Sequence, residues 1–138
     1  MLLLPAINPS EWTGPTGNNT YLFAGAPSIL IDAGVGHPEH VAAIASALDG
    51  APLDLVLVTH GHKDHAAGVP ALLERWPHLR VRGAGGEPLH NGDVFENSDV
   101  RLSALHTPGH APDHFCFVDT RSGDIFCGDL ARAGGTIV

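Results

Sequence analysis

The chain has 138 residues, a length that suits a single domain. Hydrophobic residues make up 43% and charged residues 16% of the chain, which is typical of a globular protein and excludes an intrinsically disordered one. The formal net charge of −8 disfavours non-specific binding to duplex nucleic acid, and no apolar run approaches the ~18 residues of a membrane span.

The first half of the chain shows alternating strand and helix patterns. We predict a loop followed by two strands, a helix and a third strand, over residues 8–20, 21–24, 28–32, 38–48 and 53–58. In the helix, Val41, Ile44, Ala45 and Leu48 recur at helical spacing. The last strand is a nearly continuous apolar run, which predicts burial on both of its faces.

The second half continues with short elements. We predict a helix, two strands and a hairpin, over residues 68–75, 79–82, 101–105 and 114–127. The hairpin turns at Arg121-Ser122-Gly123. Mixed strands and helices in this order predict a sheet with helices packed over it, and a core assembled from many short strands.

The residues that follow the buried third strand form the strongest chemical signal. Residues 60–65 carry three histidines and one aspartate in six positions. His60 and His62 are two apart, so both point the same way on an extended segment. Asp64 and His65 follow the turn and can face a second position nearby. We prefer a metal site to a polar surface loop, because imidazole and carboxylate groups are zinc ligands.

Two later segments add candidate ligands. His110 closes the turn His106-Thr107-Pro108-Gly109-His110, which presents its ring, whereas we interpret His106 as a strand residue. Asp129 follows Cys127 and Gly128 at a predicted strand end. His60, His62 and His110 match a catalytic zinc site with an open fourth position. Asp64, His65 and Asp129 suit a second ion, and a carboxylate such as Asp129 can bridge ions ~3.5–4 Å apart.

These motifs, in this order, resemble the metallo-β-lactamase superfamily, most closely its glyoxalase II-type and β-lactamase-like 2 groups. Residues 17–22 and 29–34 are similar to the opening strands of that family, so the resemblance covers nearly the whole chain. It implies an α/β fold, the four-layer αββα sandwich, with two zinc ions at one edge. It also implies the ligand roles, with His60, His62 and His110 on the first ion, Asp64 and His65 on the second, and Asp129 as the bridge.

The resemblance gives open roles to two further residues. Asp32 stands where the family tends to place a residue that supports the site, and a strand-end turn former is an equal interpretation. His114 follows the His110 turn, and we favour an edge-strand histidine over a supporting role at the site.

One departure from the family pattern affects the second ion. The family normally supplies one more histidine from a later Pro-Gly-His turn, and the sequence has no such turn after Asp129. We therefore expect residues 1–138 to be the N-terminal portion of one domain, with its C-terminal half incomplete and its second site under-liganded. The tail Thr136-Ile137-Val138 predicts the beginning of a strand.

The resemblance implies a metal-dependent hydrolase. A zinc-activated bridging water would attack an ester, thioester, amide or phosphodiester bond, and Asp64 would hold or receive its proton. Two alternatives remain open at this point: an iron-dependent oxidoreductase of the sulfur-dioxygenase type with a single ion, and a non-catalytic metal-binding fragment. Iron or manganese also remains open in place of zinc.

The resemblance, the incomplete sandwich and the N-terminal segment lead to expectations about partners and location. We expect a small-molecule or anionic substrate, with RNA as a partner by family resemblance only, and no membrane association. A second copy would cover apolar surface that an incomplete sandwich exposes. The N-terminus lacks a basic region and Pro5 interrupts its apolar stretch, so we expect a cytoplasmic protein. Two cysteines, Cys116 and Cys127, are too few for a disulfide framework, and we interpret both as buried small residues.

Overall fold

A computed structural model describes residues 1–131, and these residues form two sheets with helices on one side. The strands are β1 (Leu2–Pro5), β2 (Asn19–Phe23), β3 (Ile29–Ile31), β4 (Leu55–Leu57), β5 (Arg80–Arg82), β6 (Val94–Glu96), β7 (Arg101–His106), β8 (Phe115–Asp119) and β9 (Ile125–Phe126). The helices are α1 (Pro38–Leu48), α2 (Lys63–Ala66) and α3 (Val69–Arg75), and Gly128–Leu130 form a 3₁₀ turn.

The two sheets differ in strand direction. The first has the order β1-β2-β3-β4-β5, with β3, β4 and β5 parallel because helices connect them. The second has the order β6-β7-β8-β9 and is antiparallel throughout. The first sheet thus brings the carboxyl ends of β3 and β4 to one edge.

Local sequence explains the limits of α1. The His37 ring accepts a hydrogen bond from the Glu39 N–H at its start, and Pro38 suits the first helical position. Asp49 and Gly50 have positive φ values of 48° and 87° and end the helix.

The alternation of side chains along the strands builds two cores. Phe23, Ile29 and Ile31 face the second sheet and pack with residues such as Leu102 and Phe117. The neighbouring residues Leu22, Leu30 and Val56 face the opposite way and pack under the helices with Ile44 and Leu72. The central strands β3 and β4 of the first sheet are therefore buried on both faces, as the sequence predicts for the strand at residues 53–58.

The mixed α/β class and the two packed sheets are confirmed. The helix at 38–48 forms with the predicted bounds, and the hairpin of β8 and β9 forms around Arg121-Ser122-Gly123. Residues 1–131 make three layers of the expected four, namely helices, first sheet and second sheet. The predicted strand at residues 136–138 lies outside the described residues.

The structure also adds elements that the sequence patterns did not indicate. Strands β1 and β6 form where we predicted no element, and α2 overlaps residues 60–65, where we predicted only a turn. Among the described residues no helix combines the length and apolar character that crossing a membrane demands.

Candidate metal centre

The first group of candidate ligands converges at the edge where β4, β7 and β9 end. One ligand atom each from His60, His62, His110 and Asp129 lies within 4.8 Å of the others. His62 Nδ1 is 2.9 Å from His110 Nε2, and Asp129 Oδ2 is 3.5 Å from His110 Nε2 and 4.0 Å from His60 Nε2. Atoms bound tetrahedrally to one zinc ion at ~2.0–2.1 Å are about 3.4 Å apart, so the spacing suits a shared ion.

A second group adjoins the first and shares Asp129. It consists of Asp64, His65 and Asp129, whose ligand atoms also lie within 4.8 Å of one another. His65 Nε2 is 3.2 Å from Asp129 Oδ1 and 3.6 Å from Asp64 Oδ2. Asp129 therefore turns Oδ1 to the second group and Oδ2 to the first, which is the arrangement of a bridging carboxylate.

The hydrogen bonds of His60 test whether the first group fits a metal ion. The Thr59 hydroxyl donates to Asp32, so its oxygen accepts the His60 Nδ1–H at 3.1 Å. This leaves a lone pair on His60 Nε2, which is buried and has no hydrogen-bond partner. Burial lowers the pKa of His60 to about 4, so the ring is neutral at pH 7. A buried lone pair without a donor is costly, and a cation at this point would satisfy it.

Asp32 holds the second group from behind. Its Oδ2 accepts the His65 Nδ1–H at 2.8 Å, and its Oδ1 accepts the Thr59 N–H at 2.8 Å. A carboxylate behind a ligating histidine fixes the tautomer and turns Nε2 toward the ion. Asp32 also has a φ of 64° at the end of β3. The residue therefore forms the turn at the strand end and supports His65 at the same time, which combines the two interpretations of it from the sequence.

Charge in the second group comes from His65 and its two carboxylates. Burial lowers the pKa of His65, but hydrogen bonds to Asp129 and Asp32 outweigh burial and raise it to about 10. The same contact holds the pKa of Asp129 below its usual value. Without a metal, His65 therefore carries a proton, and an ion that binds there must displace it.

His114 was assigned wrongly from the sequence. We favoured an edge-strand histidine, but His114 precedes β8, which lies between β7 and β9, and the side chain is fully buried. Its Nε2 accepts the Asp129 N–H at 3.3 Å, and its Nδ1–H donates to Thr107 Oγ1 at 2.9 Å. His114 thus holds the backbone of the shared carboxylate, and burial lowers its pKa.

Two residues near the His110 turn show which positions lie outside the ligand groups. His106 is exposed, and its Nε2 is 3.1 Å from the Pro112 carbonyl oxygen, in line with its interpretation as a strand residue. Asp113 was not singled out from the sequence, yet its Oδ2 accepts the Gly61 N–H at 2.9 Å. That contact connects the two loops that carry His62 and His110, and the two residues are 52 positions apart in sequence, so no local pattern indicated it.

The two cysteines carry free thiols. Cys116 is buried and Cys127 is half-buried. Burial raises the pKa of the Cys116 thiol, which keeps it protonated and unreactive at neutral pH.

Comparison with known sequences identifies relatives of this chain. Residues 13–90 and 79–138 match the Metallo-beta-lactamase superfamily. The chain is 43% identical over 132 residues to a protein of Aspergillus chevalieri named Atrochrysone carboxyl ACP thioesterase, covering 88% of this chain and 42% of that protein. The chain spans less than half the length of the curated relatives that it matches in this way.

Solved structures show the same fold. A metallo-beta-lactamase family protein from Thermus thermophilus, TTHA1429, superposes with a TM-score of 0.78 over 99% of this chain and 61% of that chain, at 22% identity. The protein TTHA1623, solved in a di-iron-bound form, gives a TM-score of 0.72 over 89% of this chain and 72% of that chain, at 28% identity.

Proposed function

Because the chain belongs to the metallo-beta-lactamase superfamily, we propose that its two ligand groups bind a pair of zinc ions and that this centre hydrolyses acyl thioesters. The observation that carries the proposal is Asp129, whose two oxygens face two different groups of ligand atoms. The name of the Aspergillus chevalieri relative, at 43% identity, supports a thioester among the bonds that the sequence left open.

The proposal assigns His60, His62 and His110 to the first ion, Asp64 and His65 to the second, and Asp129 to both. When bound, such ions lower the pKa of a coordinated water toward ~7 and polarise the acyl oxygen. The unpartnered Nε2 of His60 supports the first assignment, and the Asp32–His65 hydrogen bond supports the second.

The protein itself supplies orientation and a place for the proton. Thr59 and Asp32 fix the rings of His60 and His65, and His114 fixes the backbone of Asp129. Asp64 has a side chain that is one-third exposed at the rim of the centre, and we assign it the proton of the attacking water. Its carboxylate is then both a ligand and a base, as expected from the sequence.

The choice of metal and reaction rests on the donor set. Imidazole nitrogen binds zinc, iron and copper alike, and TTHA1623 holds two irons. The identity of the metal as zinc is therefore a part of the proposal, which metal analysis tests. An oxidoreductase with a single iron would need only the first group. The second group, Asp64 with His65 and Asp129, therefore favours a two-ion hydrolase over that alternative.

The test combines metal analysis with hydrolysis of the benzoyl thioester of N-acetylcysteamine, followed by thiol release. We expect two zinc ions per chain, and hydrolysis that a chelator abolishes and added zinc restores. His62→Ala should remove the first ion and lower the rate on the order of 100-fold or more, because the first group loses one of its three imidazoles.

His106→Ala is the matched control, since it removes a histidine from the same region that lies outside both groups. It should keep both ions and the full rate. Full zinc content in His62→Ala would contradict the ligand assignment. A chain that binds two ions but leaves the thioester intact would contradict the hydrolase proposal and favour the metal-binding fragment.

A further inference from the structure

The side chain of Asn18 reaches into the second ligand group. Its Nδ2 is 2.8 Å from Asp64 Oδ2 and 3.0 Å from His65 Nε2. It is also 3.3 Å from the Asp64 carbonyl oxygen. These contacts involve the two ligands that belong to the second group alone, and the proposed function gives Asn18 no role.

The backbone holds Asn18 in this position. Its N–H donates to Asn8 Oδ1 at 2.9 Å, and its carbonyl oxygen accepts the Ala6 N–H at 2.8 Å. A Cβ at Gly17 would collide with Asn8, so only glycine lets the chain close up here. The amide of Asn18 is therefore fixed before any ligand arrives.

The chemistry of the contact identifies its direction. A carboxylate only accepts hydrogen bonds, so the Asn18 amide must donate to Asp64. A carboxylate oxygen has two lone-pair sites, so Asp64 Oδ2 can accept this hydrogen bond and still bind an ion. An ion bound to His65 takes the single lone pair of Nε2, so Asp64 is the partner that Asn18 retains when an ion is bound.

We propose that Asn18 is a positioning residue for the second ion. By fixing the Asp64 carboxylate it sets the affinity of the second group and leaves the first group unaffected. The effect is large because Asp64 and His65 are the only ligands that the described residues give to the second ion alone. This inference rests on the proposal that the two groups bind ions.

The test is a zinc titration of the metal-free chain against a chromophoric chelator, which resolves the two dissociation constants. Asn18→Ala should raise the dissociation constant of the second ion 10- to 100-fold, which is the usual cost of losing a hydrogen bond to a ligand, and leave that of the first within about twofold. Asn19→Ala is the control, since it removes the neighbouring exposed asparagine, and both constants should stay within about twofold of wild type.

The outcomes separate the two proposals. Two ions in wild type, with the second ion indifferent to Asn18→Ala, would overturn the role of Asn18 alone. Equal weakening of both ions would also overturn it, because a general structural effect would explain that result. A wild-type chain that takes up no second ion would overturn the two-ion proposal and the role of Asn18 with it.

Discussion

Asp129 is the residue through which the two ligand groups meet. Its carboxylate lies between His65 on one side and His110 and His60 on the other. An isolated ion pair on a protein surface contributes little to stability. Ion pairing alone therefore gives little reason for one carboxylate to face two sets of imidazoles. The same arrangement is explained if each oxygen has an ion to bind.

His40 makes stability depend on pH independently of the metal centre. It is fully buried, its Nε2–H donates to Thr20 Oγ1 at 2.8 Å, and its Nδ1 has no hydrogen-bond partner. Burial, together with a smaller contribution from His37, lowers its pKa to about 4. The unfolded chain therefore binds this proton near pH 6.5 while the folded chain does not, so stability falls as the pH drops from 6.5 toward 4.

The predicted loss due to His40 is about 2 kcal/mol between pH 7.5 and pH 5.0. Urea unfolding of the chelator-treated protein at both pH values measures it. In His40→Gln the free energy of unfolding should fall by about 2 kcal/mol less over the same range, since the ligand histidines titrate in both proteins. Equal pH dependence in the two proteins would show that His40 is not the group responsible.

The ends of four strands converge at the centre and carry three of its ligands and the supporting residue Asp32. Asp32 follows β3, His60 follows β4, His110 follows β7 and Asp129 follows β9. Parallel pairing of β3 with β4 puts two of these ends side by side, and the second sheet packs against the first to bring the other two. The centre is therefore built by strand register more than by any one loop.

Gly128 controls the turn after β9 that carries Asp129. Its φ is 49°, and a Cβ there would lie 2.7 Å from His114 Nε2 and 2.9 Å from Thr59 Oγ1. We expect Gly128→Ala to displace the turn, to weaken binding of both ions, and to lower the free energy of unfolding by about 2 kcal/mol or more. Zinc titration and urea unfolding measure the two effects.

Gly123→Ala is the matched control for Gly128→Ala. Gly123 also has a positive φ, of 83°, but a Cβ there meets nothing within 4 Å. This variant should lose about 1–2 kcal/mol from backbone conformation alone and keep both ions. If Gly128→Ala behaves like Gly123→Ala, close packing against His114 and Thr59 does not position Asp129.

The elements that sequence could predict are those with a periodic apolar signal. Helix α1 has apolar residues at helical spacing and end signals at Pro38 and Gly50, so its bounds agree with the prediction. Strand β6 has three residues with only Phe95 buried, and β1 is an edge strand with two exposed leucines, so neither shows a usable alternation. Helix α2 has four residues of mostly polar character, so it shows no periodic apolar signal either.

The candidate ligands were predictable from their chemistry, but the residues that hold them in place were not. Histidine and aspartate at strand ends are chemically distinctive wherever the fold places them. His114 and Asp113 act through backbone N–H groups of Asp129 and Gly61, which are distant in sequence. Such contacts exist only once the two sheets have packed, so spacing along the chain gave no sign of them.

The described residues account for helices on one side of two sheets, and thus for three layers. A substrate of small or anionic character, RNA as a partner, and a second copy of the chain over exposed apolar surface all stay predictions. Exposed apolar side chains do occur in the second sheet, with Leu105 47% and Ile125 62% exposed.

The proposed centre contains two ions that share Asp129. Anomalous diffraction from crystals of the zinc-loaded chain locates zinc directly. We expect two peaks ~3.5–4 Å apart, one within bonding distance of His60, His62 and His110, the other of Asp64 and His65, with Asp129 between them. A single peak, or zinc bound away from His110 and Asp129, would contradict the proposed two-ion centre.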